Sequence, residues 1–472
     1  MDERGYSRPL DIHRISEYPE VQKVISTIYE LLGEAGCLGR APYGKEVKKH
    51  LKVVVLDLFV AYLGDPLVFI GYSRNKNSYG KDTRLAKLFL NYRPMMRVID
   101  GLESLGFIEN HKGFYDLSRQ SGLQSRMRAT PALINLIETG GVTPLMVSNE
   151  DGEVIALRDS DGNDLSFPET DETRAISEQV MSYNQFLSEH RISLSLDVEK
   201  IRDILKEKQK KPVDYTRTQL CRIFQEDLSS GGRYYRGWWQ EVPSELRRYI
   251  TIDGENCSEL DYSGQSLGLL YAYKDHERTW LKGDVDPYTI EGEEGVNRKL
   301  MKKVFLTCVN ASSLDQALKS IRYYINKECE GLKSTKVFID RLIDQTIQNH
   351  PDIAEYFFSC AWAGLQYQDS EIARYVLEHI QANGCPALPI HDSFVVQDEH
   401  LPLLYSLMKE SYRMLGVASV PDITLDIGAN SDPDGLSFRR LQELMDYEQQ
   451  LKERGLEAVK ALENVVSVDP GN

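Results

Sequence analysis

Three observations predict an α+β chain. Residues 387–396, A-L-P-I-H-D-S-F-V-V, run apolar, polar and apolar again, the pattern of a buried β-hairpin with an acid at its turn. Residues 249–272, Y-I-T-I-D-G-E-N-C-S-E-L-D-Y-S-G-Q-S-L-G-L-L-Y-A, read as two strands feeding a helix. The front of the chain is instead mainly helical, in the order helix, helix-turn-helix, hairpin.

The chain has 472 residues, enough for about two to four domains. A hydrophobic share of 41% and a charged share of 27% suit an ordinary globular protein. No apolar run approaches the roughly 20 residues that span a bilayer, and the opening M-D-E-R-G-Y-S-R-P-L lacks an apolar signal core. A cytoplasmic protein without a membrane partner is expected. Cys37, Cys221, Cys257, Cys308, Cys329, Cys360 and Cys385 lie far apart with no C-x-x-C pair. That spacing supports neither a zinc site nor a disulfide framework, and reduced thiols are expected. Net charge is −16 but uneven. Residues 1–130 hold 20 Lys+Arg against 15 Asp+Glu, and the remainder holds 36 against 57. Phosphate attraction would therefore come from the front, while the acidic body leaves room for a protein partner.

Residues 1–40 read as a helical lead-in, with Val21, Ile25, Ile28, Leu31 and Leu32 at helical spacing. A second helix, Lys45 to Leu63, stops at Gly64-Asp65-Pro66. The basic loop Arg74 to Lys81, a short helix from Thr83 to Leu90 and a longer one from Met95 to Leu105 follow, with Pro94 in the last helix's first turn. Phe107 to Asp116 reads as a hairpin turning at His111 to Gly113. This order is that of a winged-helix domain over residues 41–130, which would bind DNA through Arg93 and Arg97 on the second helix and Lys112 on the wing. Equally, a small helical domain with solvated basic residues would show the same pattern. Residues 131–214 read as a hairpin turning on Asp161-Gly162-Asn163, an acidic linker and helices at 173–190 and 197–210, ending at Pro212. From residue 438 a charged helix and tail close the chain.

Residues 215–437 carry the chemistry. Ser229 to Gln240, S-S-G-G-R-Y-Y-R-G-W-W-Q, interleaves Arg233 and Arg236 with aromatic rings, which suits stacking of bases and pairing of phosphates. A tryptophan-rich core turn is the competing reading. Asp261 stands at a predicted strand end before a helix, a good position for a metal ligand near phosphates. In N-R-K-L-M-K-K-V-F-L-T-C-V-N-A, residues 297–311, Arg298 and Lys302 share one helix face with Phe305 or Leu306. A basic face is usually just solvated, but here it lies in sequence between Asp261 and Asp392 and suits a triphosphate clamp. Two carboxylates on strand ends plus helical cations fit two-metal phosphoryl transfer.

These blocks, over about residues 215–430, resemble the palm and fingers of family A DNA polymerases and phage-type single-subunit RNA polymerases. The resemblance implies a right-hand polymerase fold using two Mg²⁺ or Mn²⁺ ions. It implies that Asp261, in L-D-Y-S, and Asp392, in I-H-D-S-F, hold the metals, with His391 near the primer end. Arg298 and Lys302 keep the Arg-x-x-x-Lys spacing of the helix that binds a nucleoside triphosphate. G-G-R-Y-Y, with Arg233 and Tyr234, resembles the G-R-x-Y element that precedes the palm in the RNA polymerases. Arg236 would also contact nucleic acid, Asp286-Pro287-Tyr288 resembles a short Asp-led element, and Gln368 opens a Gln-led helix. Val420 to Gly428 resembles the closing palm strand.

Two departures matter. Ser266 stands where DNA polymerases of the family carry a glutamate that blocks a ribose 2′-hydroxyl. Asn310-Ala311 stands where the family has Tyr-Gly, which positions the template base. Together with the I-H-D-S-F wording, Ser266 tilts the expectation to ribonucleotides, as in an RNA polymerase or primase. The alternatives are a DNA polymerase of a mobile element, a template-independent terminal transferase, or a non-catalytic winged-helix DNA-binding regulator or replication protein.

Overall fold

A computed structural model describes residues 6–38, 44–80, 89–116, 121–149, 153–273, 287–288, 296–414 and 421–466. It is a mixed α/β structure with antiparallel sheets and many helices. Its contacts divide the chain into two units, neither contiguous in sequence. The first comprises residues 1–153, 192–219 and 236–247; the second comprises 154–191, 220–235 and 248–472. No helix among the described residues is long and apolar enough to cross a membrane.

In the first unit, helices α1 (Pro19–Glu34) and α2 (Gly44–Gly64) bury Val24, Ile28, Leu51, Val54 and Leu58. Strand β1 (Ser7–Pro9) pairs in parallel with β2 (Phe69–Tyr72). Helix α3 (Tyr92–Ser104) begins two residues before Pro94, which its first turn tolerates because no donor is needed there. The expected short helix at 83–90 lies, for residues 83–88, outside the described residues.

After α3 the chain forms one long hairpin rather than a turn at His111–Gly113. Strand β3 (Ile108–His111) does not fold back on β4 (Phe114–Asp116). Instead β4 pairs β5 (Ser121–Leu123), and β3 pairs β6 (Ser125–Ala129) in the same register. Gly113 marks a pinch, not a turn. A Cβ there would stand 2.4 Å from the Leu123 carbonyl oxygen, so only glycine lets the strands approach this closely. Strand β6 also pairs β2, giving the sheet order β1-β2-β6-β3.

In the second unit, β7 (Ile155–Arg158), β8 (Cys221–Gln225) and β9 (Asp227–Tyr235) form one sheet, with Asp164–Leu165 at its edge. The turn through Gly162 forms where Asp161-Gly162-Asn163 predicts it. Helix α4 (Asp171–Ser188) is closed by a capping box of Thr170 and Thr173. The second sheet is built on β11 (Glu255–Ser263), preceded by β10 (Ile250–Ile252). On one side β11 pairs β13 (Ser393–Gln397), which pairs β12 (Ala387–Ile390); on the other it pairs β14 (Asp422–Asp426). Helices α5 (Gln265–Tyr273), α6 (Arg298–Asn310), α7 (Leu314–Glu328), α8 (Lys336–Asn349), α9 (Trp362–Ala382), α10 (Leu401–Met414) and α11 (Leu436–Val466) complete the unit.

Candidate active site

The site is built on β11 because that strand is hydrogen-bonded on both sides and successive side chains point to opposite faces. Leu260 and Tyr262 are buried, and the Tyr262 hydroxyl donates to the Met408 carbonyl at 2.6 Å. Asp261, between them, is therefore turned to the other face and is partly exposed. The strand runs on to Ser263, so Asp261 lies within it and not at its end, braced by neighbours on both edges. Its Cα pairs with Ser393 on one side and Thr424 on the other.

The β12–β13 hairpin brings Asp392 alongside. Its strands are fully buried, and the Tyr183 hydroxyl clamps the first residue, Ala387, donating to its carbonyl and accepting from its N–H at 2.6 and 3.1 Å. The turn is only two residues, so His391 takes φ +58°, the left-handed conformation that such tight turns demand. Asp392 is partly exposed, and its carbonyl accepts from the Tyr262 N–H at 3.2 Å. Asp261 lies within β11 and Asp392 in the turn that precedes β13, one residue before the register partner of Asp261. Beneath them, the Ser393 hydroxyl donates to the buried carboxylate of Glu259, two residues before Asp261 on the same face.

A third carboxylate, Asp369, joins the site from α9. Sequence reasoning selects its neighbour Gln368, which is partly exposed, and misses Asp369, which is 2% exposed. Arg233 Nε donates to the Asp369 carboxylate. Burial pushes Asp369 up against the pull of Arg233, and the charge of Asp392 adds to the rise, so its pKa stands at about 6. The signal for it lies in β8 and β9, which dock on α9 through charged residues. Buried Arg222 donates to Ser370 Oγ at 2.8 Å and to Glu371 at 3.0 Å. The glycine pair of G-G-R-Y-Y makes this docking fit: Gly232 has φ +75°, and a Cβ there would meet Phe224 at 2.8 Å and Ser370 Oγ at 3.0 Å.

The aromatic residues after Arg233 correct an expectation. Tyr234 is 3% exposed and its hydroxyl donates to Gln179 at 2.8 Å, so it packs inward and does not present a ring to a ligand. Trp238 and Trp239 are likewise core residues. Strand alternation turns Tyr235 outward instead, and its ring stands edge-on to His391, 5.6 Å between centroids. Arg236, in the first unit, bonds the Glu153 carbonyl at 2.9 Å.

On α6, Asn297 caps the first turn by accepting from the Leu300 N–H at 2.9 Å. Arg298 and Lys302 are exposed one turn apart, with the Arg298 guanidinium 5.1 Å from the centre of the Tyr288 ring. Phe305 is buried against Tyr288, His350 and Phe357, and Asn310 is exposed at the helix end. His350 is held low by burial and links Tyr271 to the Pro287 carbonyl at 3.1 and 3.0 Å. Ser266, in the first turn of α5, is partly exposed. Asp286 lies outside the described residues. In the first unit, Arg93 and Lys112 are exposed and Arg97 partly so.

No family model matches this chain. No curated protein matches it. Among solved structures, the polymerase domain of Pol1 from M. smegmatis, in complex with DNA primer-template and dNTP, is similar over 87% of this chain and 69% of that chain. The identity is 10% and the TM-score 0.33, a likeness too low to speak for this chain's chemistry.

Among the described residues, no group of three or more His, Cys, Asp or Glu is placed to hold a metal ion. Two carboxylates are nonetheless a donor set that fits Mg²⁺, which typically takes one or two protein carboxylates and completes its shell with water and substrate phosphates.

Proposed function

We propose that this protein is a nucleotidyltransferase of the polymerase type, joining nucleoside triphosphates to a nucleic-acid strand. The observation that carries the reading is the pairing of β11 with β13, which sets Asp261 across from Ser393, the residue after Asp392, with both aspartates partly exposed. Asp261 and Asp392 would hold the divalent ions. When bound, such ions lower the pKa of an attacking hydroxyl and neutralise a leaving pyrophosphate. Arg298 and Lys302, exposed on one face of α6, would bind the triphosphate, with Tyr288 orienting Arg298. Arg233 is paired with Asp369 and is not itself open to a phosphate while so engaged. Ser266, small and partly exposed, would admit a ribose 2′-hydroxyl if it lies where the resemblance puts it, which favours ribonucleotides.

The first unit would bind the nucleic acid. Its helix–strand–helix–strand–strand order from Gly44 to Ala129, with the first strand (β2) paired to the third (β6) and the third to the second (β3), supports the winged-helix reading of 41–130. Arg93 and Arg97 on α3 would meet phosphates or base edges.

The test is incorporation of labelled ribo- and deoxyribonucleotides with Mg²⁺ or Mn²⁺, with and without single-stranded DNA, beside Asp392→Asn. Product that requires Asp392 is expected. Unchanged product in Asp392→Asn would end the assignment, and equal use of both sugars would remove the preference.

A further inference from the structure

The long hairpin β3–β6 carries a cavity of about 280 Å³ that the proposed chemistry does not use. Asn110, His111, Lys112 and Phe114 line it from one arm of the hairpin, Leu123 and Arg126 from the other, together with Glu103. Phe114 and Leu123 are cross-strand partners, 59% and 37% exposed. An aromatic ring and a leucine are thus left side by side in water next to an exposed lysine. The wall behind them is preset. The Asn110 amide is held at both ends, accepting from the Tyr72 hydroxyl and donating to Glu103, each at 2.8 Å. The pinch at Gly113, whose N–H donates to Ser125 Oγ at 2.9 Å, fixes the spacing of the two strands. The exposed Lys112 lies within the stretch of the chain that carries the basic excess.

We propose that this cavity takes one unpaired nucleobase of a single strand, stacked on Phe114 with its phosphate on Lys112. The inference rests on the reading of the chain as a nucleic-acid enzyme. An exposed ring offers a stacking partner that only an unstacked base can use. The volume lies just below the range of drug-sized ligand sites, about 300 to 1,000 Å³, and suits one base but not a whole nucleoside triphosphate. The strand's charge complements Lys112.

The experiment is fluorescence anisotropy of the full chain with labelled oligothymidine, labelled oligouridine and a blunt duplex, for wild type, Phe114→Ala and Phe114→Trp. Phe114→Ala is expected to lose roughly tenfold or more in Kd on a single strand, with duplex binding and Tm unchanged. Phe114→Trp is expected to retain the wild-type affinity, and the strand that shows the loss names the sugar. Wild-type binding that Phe114→Ala leaves intact, or weakens equally on duplex and single strand, overturns the cavity assignment alone. Absence of binding to every probe by the wild type overturns it together with the nucleic-acid reading.

Discussion

Each unit of this molecule buries an ion cluster, and the two clusters differ in their balance of charge. In the first unit Arg8 and Arg14 meet Asp57 and Asp214. Asp57 accepts from Arg8 at 2.7 and 2.9 Å and from Arg14 at 3.1 Å, and Asp214 accepts from Arg14 at 2.7 Å, with Asp11 on the wetter rim. Burial alone would raise Asp214, but the two guanidinium groups outweigh it and hold its pKa down to about 2. In the second unit a single guanidinium, Arg233, faces Asp369 while Asp392 adds a further negative charge, and Asp369 is driven up to about 6. Burial is common to both; the count of opposite charges decides the direction. The balanced cluster is complete and serves the fold. The acid-rich one favours the approach of positive charge, which is what the proposed chemistry needs.

The largest effect should come from the acid-rich cluster. Asp392→Asn or Asp261→Asn should lower incorporation by roughly three orders of magnitude or more, the scale of losing a metal ligand. Neither should lower Tm, and Asp392→Asn should raise it slightly by relieving Asp369. A lowered Tm in Asp392→Asn would contradict the electrostatic account. In the balanced cluster, Asp57→Ala should cost about 3–5 kcal/mol in denaturant unfolding, because it strands two buried guanidinium groups. A loss below about 1 kcal/mol would show that water reaches them.

pH should separate the clusters next. Asp369 has a folded pKa above its ordinary 3.8, so the stability it allows is full below about pH 4 and falls as pH rises through about 6. Asp214 has the opposite sign: its contribution is full above about pH 4 and is lost as pH falls through about 2. Each is worth roughly 2–3 kcal/mol. Unfolding of Asp369→Asn and wild type across pH 4 to 7 should therefore diverge with rising pH, and parallel curves would refute the assignment. A smaller effect is expected from the exposed cations of α6. Lys302→Ala should raise the KM for nucleotide about tenfold with Tm unchanged, since an exposed side chain contributes little to folding. Smallest per residue, Arg93→Ala and Arg97→Ala should each weaken DNA binding evenly across sequences and reduce the salt slope by about one. Sequence-dependent loss would instead indicate base contacts.

Much of the site's frame was legible because it is local. The apolar–polar–apolar run of A-L-P-I-H-D-S-F-V-V predicts the β12–β13 hairpin and puts Asp392 at its turn, where it stands. The spacing of Arg298 and Lys302 predicts a shared helix face, and both are exposed on α6. What was not legible depends on partners distant in the chain. Asp369 looks like any polar residue of an amphipathic helix until Arg233, 136 residues earlier, is seen against it. Tyr234 reads as a stacking ring because a strand's inward face cannot be told from its outward face without the helix behind it. Gly113 reads as a turn because close approach and chain reversal both call for glycine.

The strand that carries Asp261 has one further consequence. Its neighbours come from far along the chain: Ser393 reaches Glu259 across 134 positions, and Thr424 reaches Asp261 across 163. During synthesis the ribosome must pass Asp426 before that strand has both its partners. A nascent chain would leave the tunnel with its first unit already able to condense, and only then complete the sheet that holds Asp261.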